Sequence, residues 1–550
     1  MCGFYLHYNE SKNFINFDKS FRTLSKRGPD EKKIIEIQNC KMGFHRLSII
    51  DKDSRSMQPF IENEFILLFN GEIYNYKELR DELIQSGIKN FKTNSDTEVL
   101  LKYFIQKGPD VFDKIIGMYA ITIFDTKKSK IYFIRDNFGV KPLYFYHEKN
   151  EFIISSNISA IKSTILDKTQ INKFNKINFN FYGFTYGNET IYNKIYEAKP
   201  GCLYSFDTKN KKIIKQNIFN IFDFISLRSH KNTFNLEDLK ETVQYHLVSD
   251  VNTCTLKSNG IDSNIIHYFK DQIEFNDDYI SLDKNNLKIK TNIKKKIIQK
   301  DISLEYNQIF EEYMSCQEYP TIDGFNTFLI SKYVNLNKYK VCLSGLGLDE
   351  LLNGYNISKK INNIIFINKI FIPSLFKSNK SLKIDKIKQS KKNKDILDHY
   401  LNVRRINTYA NVNRMFDSHE IDQFKDDLRE RLIKNLMIEK IPMKSANYDY
   451  FRIFELEFYL KNQLLKDSDY FSMQNSVELR VPFIEKNFIH KLLSDKDSNS
   501  KKRNFLKKKK FTFIDSLNIE MSKEGFIAHN FNKLNNESYS SIIMNINNKF

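Results

Sequence analysis

The chain has 550 residues, more than the roughly 250 to 300 at which a single hydrophobic core stops growing, so at least two domains are expected. A hydrophobic fraction of 41%, with 47 Phe and 30 Tyr, is that of a globular protein, and no apolar stretch approaches the roughly 18 residues that span a bilayer. The formal charge of +19 is gathered in runs such as Lys294–Lys296 and KKRNFLKKKK (Lys501–Lys510); no nucleic-acid-binding motif accompanies them, so they read as solvated faces.

The opening residues MCGFYLHYNE lack a basic region followed by an apolar run, which makes a cytoplasmic protein the expectation. From residue 1 to about 206 the text reads as short β segments: Phe65–Phe69, Met118–Phe124, Ile131–Ile134, Leu143–Tyr146 and Phe152–Ile154. Two helical patterns interrupt them, Tyr76–Gln85 and Asp96–Ile105, the second opened by a Ser95-x-x-Glu98 capping box that sets Asp96 on the first turn. Residues 207–235 read as a connection, and 236–550 as a second region. There a helix-compatible segment, Leu239–Val248, precedes a strand (Asn252–Leu256), a polar loop (Ser258–Ser263) and a helix through Ile265, Ile266 and Phe269. A second such unit has Lys340–Leu343 as strand, Ser344–Asp349 as loop and a helix from Glu350. Alternation of this kind predicts a parallel sheet with ligands bound beyond the carboxyl ends of its strands. Residues 356–450 are helix-compatible, broken at Pro373, and show no chemistry.

Six cysteines (Cys2, Cys40, Cys202, Cys254, Cys316, Cys342) occur singly, which argues against a disulfide framework or a structural zinc site. Cys2 is distinct because removal of Met1 would give it a free α-amino group, whose unperturbed pKa of roughly 7.7 to 8 suits it to accept the thiol proton. Asn70-Gly71 is a hairpin-turn signal, but the same pair can offer a side-chain amide and a backbone N–H to an oxyanion. Arg46 can grip a carboxylate, while Glu72 and Asp96 can receive an ammonium group. A surface Arg, a turn Glu and a helix-start Asp are the ordinary explanations of the same residues.

MCGFY, RGPD (Arg27–Asp30), FHRLSIID (Phe44–Asp51), FNGEIYN (Phe69–Asn75), SDTEVLL (Ser95–Leu101), GMYAITIFD (Gly117–Asp125) and RDNFGVKPLYF (Arg135–Phe145) together resemble the class II glutamine amidotransferase domain of glutamine-hydrolysing asparagine synthetases. The resemblance implies an α/β/β/α sandwich of the Ntn-hydrolase type with Cys2 as nucleophile. It further implies Asn70 and Gly71 as oxyanion hole, and Arg46, Asn70, Gly71, Glu72 and Asp96 as glutamine-binding residues.

In the second region the loop S-x-G-x-D-S can bind pyrophosphate, since hydroxyls and backbone N–H groups converge on an anion at the helix N-terminus. Downstream, VCLSGLGLDELLNGY (Val341–Tyr355), SMQNSVELRVPFIE (Ser472–Glu485) and KEGF (Lys523–Phe526) resemble the asparagine synthetase domain. That resemblance implies an α/β fold of the ATP pyrophosphatase type, using ATP and magnesium to activate a carboxylate as an acyl-adenylate that ammonia then attacks. Ser258, Asn259, Gly260, Ile261, Asp262, Ser263, Ser344, Gly345 and Lys523 would bind ATP or pyrophosphate, with Asp262 and Asp349 positioning magnesium.

Departures from the family pattern fall in this half. The usual L-S-G-G-L-D-S-S reads Lys257, Ser258, Asn259, Gly260, Ile261, Asp262, Ser263, Asn264, and Asn259 replaces a glycine, although Asn tolerates positive φ better than most residues. The usual S-G-E-G-x-D-E carries Leu346 at its acidic position, and Tyr279–Tyr319 matches the family poorly. The leading expectation is a glutamine-dependent asparagine synthetase whose partners are glutamine, ATP and aspartate, with no nucleic acid and with a homodimer as candidate assembly. Two alternatives stand beside it: the same chemistry on another carboxylate such as a sugar uronate, and a glutamine-sensing protein without synthetase activity.

Overall fold

A computed structural model of the chain describes residues 2–165, 169–221, 234–274, 276–283, 287–370, 381–436, 448–499, 502–509 and 539–550. Twelve strands build the first half: β1 (Cys2–Asn9), β2 (Glu31–Ile37), β3 (Cys40–Arg46), β4 (Phe60–Glu62), β5 (Phe65–Ile73), β6 (Gly117–Asp125), β7 (Lys130–Arg135), β8 (Tyr144–Glu148), β9 (Glu151–Ser155), β10 (Ile195–Glu197), β11 (Cys202–Asp207) and β12 (Lys212–Asn217). They form two six-stranded sheets, in the orders β10-β8-β9-β1-β3-β2 and β12-β11-β7-β6-β5-β4. The segments read as strands from the sequence lie within them, except that Leu143 precedes β8, which starts at Tyr144. The connection expected over 207–235 begins with the edge strand β12, paired in register with β11, so the second sheet runs to Asn217.

Strand side chains alternate between faces, and this period of two sorts the residues into layers. Phe4, Leu6, Met42 and Phe44 from the first sheet meet Ile66, Leu68, Ala120 and Phe133 from the second. The opposite faces carry the helices. Tyr5 and Ile153 pack with Phe17, Phe21, Ile158 and Ile161 of helices Phe17–Arg22 and Ile158–Ile165. Leu67, Phe69, Ile121 and Ile123 pack with Leu79, Leu83, Val99 and Leu100 of helices Tyr76–Gln85 and Asp96–Lys107. The result is the four-layer α/β/β/α sandwich. At the second helix Ser95 caps the Glu98 N–H at 3.2 Å, but the Glu98 carboxylate turns back to Thr93 N and Oγ1, each at 2.7 Å, so the expected capping box is only half formed.

The second half is built on a sheet in the order β16-β15-β14-β13-β17-β18. Its strands are β13 (Thr253–Lys257), β14 (Tyr279–Asp283), β15 (Lys288–Ile293), β16 (Lys296–Asp301), β17 (Val341–Leu343) and β18 (Glu478–Arg480). Four strands, β14, β13, β17 and β18, are parallel, as expected, whereas β15 and β16 add an antiparallel hairpin at one edge. The reason is local: Lys294 and Lys295 take φ of 49° and 62°, closing a tight turn that only antiparallel strands can use. Residues 356–450 are helical where described, including Ile357–Ile370, Leu382–Ser390, Ile396–Arg404 and Ser418–Leu436; Pro373 lies outside the described residues. Among the described residues no helix is long and apolar enough to cross a membrane.

Asn70-Gly71 makes no turn. Both residues sit inside β5, paired with Ala120 and Tyr119 of β6. Gly71 has φ +144°, and a Cβ there would lie 2.0 Å from the Met118 carbonyl oxygen. Gly71→Ala is expected to cost about 2–4 kcal/mol through strain and overlap, seen as a lower midpoint in denaturant unfolding.

Candidate functional site

Strand parity explains why distant residues converge. Cys2 shares the inward face of β1 with Phe4 and Leu6, Arg46 that of β3 with Met42 and Phe44, and Asn70 and Glu72 that of β5 with Ile66 and Leu68. Cys2 is the cross-strand partner of Arg46. From the other sheet, Asn70 Oδ1 accepts the Cys2 backbone N–H at 3.0 Å. This leaves the Asn70 Nδ2 amide buried without a hydrogen-bond partner among the described residues. Burial pushes the Cys2 thiol up, while the amino-terminal charge and the Leu47 N–H pull the other way. The thiol therefore rests protonated, and a base must take its proton before it can attack.

Glu72 and Asp96 are both buried beside it. Burial, then the charges of Glu478 and Asp96, hold the Glu72 carboxyl well above the usual range against the opposing pull of Arg480. Asp96 is pushed up to about 6, chiefly by burial, although the Ile73 and Thr97 N–H groups oppose this. Two desolvated carboxyls on one side of a thiol form a receptor for a cationic group. The Arg46 guanidinium is engaged with Glu31 Oε1 at 3.2 Å, Asp53 O at 3.0 Å, Ser56 Oγ at 2.6 Å and the Asp51 carbonyl, so it also organises the loop after β3.

The second cluster lies beyond the carboxyl ends of β13 and β17. Helix Ile261–Glu274 starts inside the Ser258–Ser263 loop, with Ile261, Asp262 and Ser263 on its first turn. Ser258 and Ser263 bond through their hydroxyls at 2.9 Å, Gly260 N–H donates to Ser258 Oγ at 3.1 Å, and Asn264 Nδ2 donates to the carbonyls of Ser258 at 2.8 Å and Gly260 at 2.7 Å. Asn264 thus braces the loop. Neither Asn259 nor Gly260 adopts positive φ, so the replacement of glycine by Asn259 brings no backbone strain. The Ser344–Asp349 loop is in contact with this one: a Cβ on Gly345 would come within 2.6 Å of the Asp262 carbonyl carbon and the Ser263 nitrogen. Leu346 is half-buried against the core. Lys523 lies outside the described residues.

Asp262 and Asp349, one from each loop, converge on the buried ammonium of Lys502. Two carboxylates closing on one cation fit a magnesium ion that takes its remaining ligands from water and phosphate. Among the described residues no group of three or more His, Cys, Asp and Glu could hold a metal by itself. Lys502 belongs to the run Lys501–Lys510 that the sequence suggested was a solvated face. Its neighbour in that run Lys509 is also largely buried, paired with Asp495, whereas Lys294–Lys296 are exposed as expected.

Sequence reasoning also missed the charges that join the two clusters. Arg480 is buried, donating to the carbonyls of His246 and Val248 at 2.7 Å and to Glu478 at 2.5 Å, with Glu72 3.9 Å away. Its own carbonyl accepts the Ser344 N–H at 2.9 Å. Arg27 Nε donates to the Cys2 carbonyl at 3.1 Å and its Nη2 to Asp469 at 2.8 Å, while Lys141 reaches Asp469 at 3.2 Å. A continuous helix, Tyr448–Phe454, a π-wound Glu455–Leu465 and Lys466–Met473, carries Asp469 and also Lys466, which meets Glu197 at 2.9 Å. The helical segment 356–450, which showed no chemistry, sends Arg404 onto Glu455, stacked 3.9 Å from the Tyr459 ring centroid. The motifs around Arg27 and Arg480 were visible in the sequence; their pairing across more than four hundred residues was not.

Arg480→Met would leave Glu478 and Glu72 without their shared cation. It is expected to cost about 3–5 kcal/mol in chemical unfolding, far more than neutralising an exposed lysine such as Lys295.

Residues 1–217 match the family described as "Glutamine amidotransferase domain", and residues 288–534 match the one described as "Asparagine synthase". The chain is 25% identical over 511 residues to "Asparagine synthetase (glutamine-hydrolyzing) 1" of Bacillus subtilis, covering 88% of this chain and 80% of the relative. It is 28% identical over 422 residues to "Putative asparagine synthetase (glutamine-hydrolyzing) 2" of Methanocaldococcus jannaschii, covering 67% of this chain and 78% of that one. With "Asparagine synthetase (glutamine-hydrolyzing) 3" of Bacillus subtilis it shares 29% identity over 283 residues, 48% of this chain but only 44% of the relative, so the match spans less than half of that protein.

Proposed function

Because the chain belongs to the family of glutamine-hydrolysing asparagine synthetases, we propose that it moves the amide nitrogen of glutamine onto a carboxylate activated with ATP, with aspartate as acceptor and asparagine as product. The observation that carries this reading is that two clusters, the Cys2 thiol with buried Glu72 and Asp96 and the facing loops Ser258–Ser263 and Ser344–Asp349, are joined by buried Arg480.

Glutamine enters with its ammonium on Glu72 and Asp96 and its carboxylate on the Arg46 fork, in the position now shared with Glu31. After Met1 is removed, the α-amine of Cys2 takes the thiol proton as sulfur attacks the carboxamide carbon. The Asn70 amide and the Gly71 N–H hold the oxyanion. Collapse of the adduct releases ammonia, with its third proton returned from the α-amine, and leaves a γ-glutamyl thioester. Water then hydrolyses the thioester to glutamate and free thiol. Ammonia travels inside the molecule, along the line from Glu72 past Arg480 to Ser344, towards the nucleotide loops. There the Ser258–Ser263 loop, with Ser344, Gly345 and Lys523, binds the phosphates of ATP, and Asp262 and Asp349 hold magnesium. Bound ATP and magnesium supply adenylation of the acceptor carboxylate with release of pyrophosphate; ammonia displaces AMP from the acyl-adenylate.

Leu346 favours a second acceptor. An aliphatic, half-buried side chain offers no charge to the ammonium of an amino acid, so a carboxylate without one, such as a sugar uronate, suits it better. Incubating the protein with amide-15N glutamine, ATP and magnesium, with and without aspartate, separates the readings. The expected products are 15N-asparagine and aspartate-dependent pyrophosphate. Glutamate and ammonia without any aspartate-dependent pyrophosphate would remove aspartate as acceptor; absence of ATP binding in calorimetry would instead promote a glutamine-sensing role.

The glutaminase half has its own pH signature. Ionised Asp96 is the form that receives an ammonium, and its value of about 6 adds a limb in kcat/KM for glutamine hydrolysis below the one set by the Cys2 α-amine: a further fall of roughly tenfold per unit once the pH drops below 6. Asp96→Asn should lower kcat/KM at pH 8 and abolish that limb. Cys2→Ala should abolish glutamine hydrolysis while leaving ammonia-dependent pyrophosphate release in place.

A further inference from the structure

We infer that Lys502 is a resident counter-ion that occupies the cation position between Asp262 and Asp349 when no nucleotide is bound and must leave it before a divalent metal can enter. The inference rests on the reading of Asp262 and Asp349 as the metal-holding pair of an ATP site. It adds that this position is closed to metal by the protein's own cation. Lys502 Nζ lies 2.7 and 2.9 Å from the two oxygens of Asp262 and is hydrogen-bonded to Asp349 Oδ1. Only 7% of the residue is exposed.

The rigid and the movable parts of this arrangement are distinct. Asp262 is fixed on the first turn of a 14-residue helix and against the backbone at Gly345. Asp349 is hemmed in by Gly354, whose N–H donates to the Asp349 carbonyl at 2.7 Å and whose Cβ, if it had one, would stand 1.9 Å from Oδ1. The carboxylates thus hold their spacing whether or not a cation lies between them. Lys502, by contrast, reaches in on a flexible four-carbon stem from the start of the short helix Lys502–Lys508. Exchange therefore requires one side chain to swing, not two loops to rearrange.

Charge decides the direction. A bare divalent ion would have to expel a cation already making three short contacts with the two carboxylates. Two carboxylates are also too few ligands for magnesium alone. A triphosphate supplies both the missing oxygen ligands and a new anionic partner for the displaced ammonium, so metal and nucleotide enter together. Metal without nucleotide is excluded, which keeps the adenylation site from filling unproductively.

Binding of Mn2+, followed by electron paramagnetic resonance on the full chain, tests this without relying on catalysis. In the absence of nucleotide the natural protein and Lys502→Arg should show no site in the sub-millimolar range. Lys502→Met should gain one Mn2+ per chain with a dissociation constant at least tenfold lower, lost again in Asp262→Asn/Lys502→Met. Equal nucleotide-free binding by Lys502→Met and the natural protein overturns the inference, even if both bind Mn2+ once ATP is added. Failure of both to bind Mn2+ with or without ATP overturns the inference and the ATP reading together. Thermal melting covers a variant that folds poorly: a Lys502→Met chain stabilised by Mn2+, or folding only with it, supports the inference, and one that stays unfolded with Mn2+ counts against it.

Discussion

Buried charge, matched across the boundary between the two halves, is the constraint from which the rest of the structure follows. The helix running from Tyr448 to Met473 and the strand Glu478–Arg480 carry Lys466, Asp469, Glu478 and Arg480 into the interior. Taking such groups out of water costs several kcal/mol each unless a partner of opposite sign meets them. The amino-terminal sandwich supplies the partners: Glu197 for Lys466, Arg27 and Lys141 for Asp469, Glu72 for Arg480. Hydrophobic surface could be covered in many orientations, but these pairs are satisfied in one. The same contacts that dock the halves therefore fix the distance and direction between the Cys2 thiol and the loops that follow β13 and β17.

The carboxyls at this boundary fall into two groups. Burial pushes Glu197 up, but Lys466 and Arg135 outweigh it and bring it to about 2; this adds stability above the usual carboxylate range, lost as pH falls towards 2. Arg480 and the other cations around Glu478 likewise keep that group ionised. Glu72 and Asp96 are held above their ordinary values: at Glu72 burial and the charges of Glu478 and Asp96 outweigh Arg480, and at Asp96 burial outweighs the Ile73 and Thr97 N–H groups. Glu197 and Glu478 have cations that offset their burial, whereas at Glu72 and Asp96 the offset falls short. A site that binds a cationic group gains from that deficit, because the ligand itself relieves it.

Much of this was legible in the sequence because it depends on local rules. Alternation along β1, β3, β5 and β6 was readable as strands, and the same alternation placed Cys2, Arg46, Asn70 and Glu72 on inward faces. The strand–loop–helix rhythm placed the Ser258–Ser263 and Ser344–Asp349 loops at the carboxyl ends of β13 and β17. What was not legible depends on distant neighbours. Asn70-Gly71 carries a turn signal, yet the close approach of the Met118 carbonyl made glycine necessary inside a strand. The hairpin β15–β16 lay in the stretch that matched the family poorly, and its turn is made by two lysines in place of the Asn or Gly that usually announce one. Lys502 looked like any other member of a basic run. Nothing within ten residues of it distinguishes a lysine that meets two aspartates from one that meets water.

The charge pairing also changes what the link between the halves has to do. Residues 218–235 join a sheet that ends at Asn217 to a helix that begins at Leu236. In a molecule held together by its tether, such a segment sets the effective concentration of one domain around the other, and its length and stiffness would govern communication between them. Here the halves are keyed to one another by buried charge, and the described C-terminal end of the link is packed in turn: Phe234 is buried against Phe488 and Phe505, and Asn235 caps the helix that begins at Leu236. The relative placing of the halves is therefore set by the contacts at Arg27, Asp469 and Arg480 rather than by the length of chain between them, and a single conservative exchange at any of the three disturbs it.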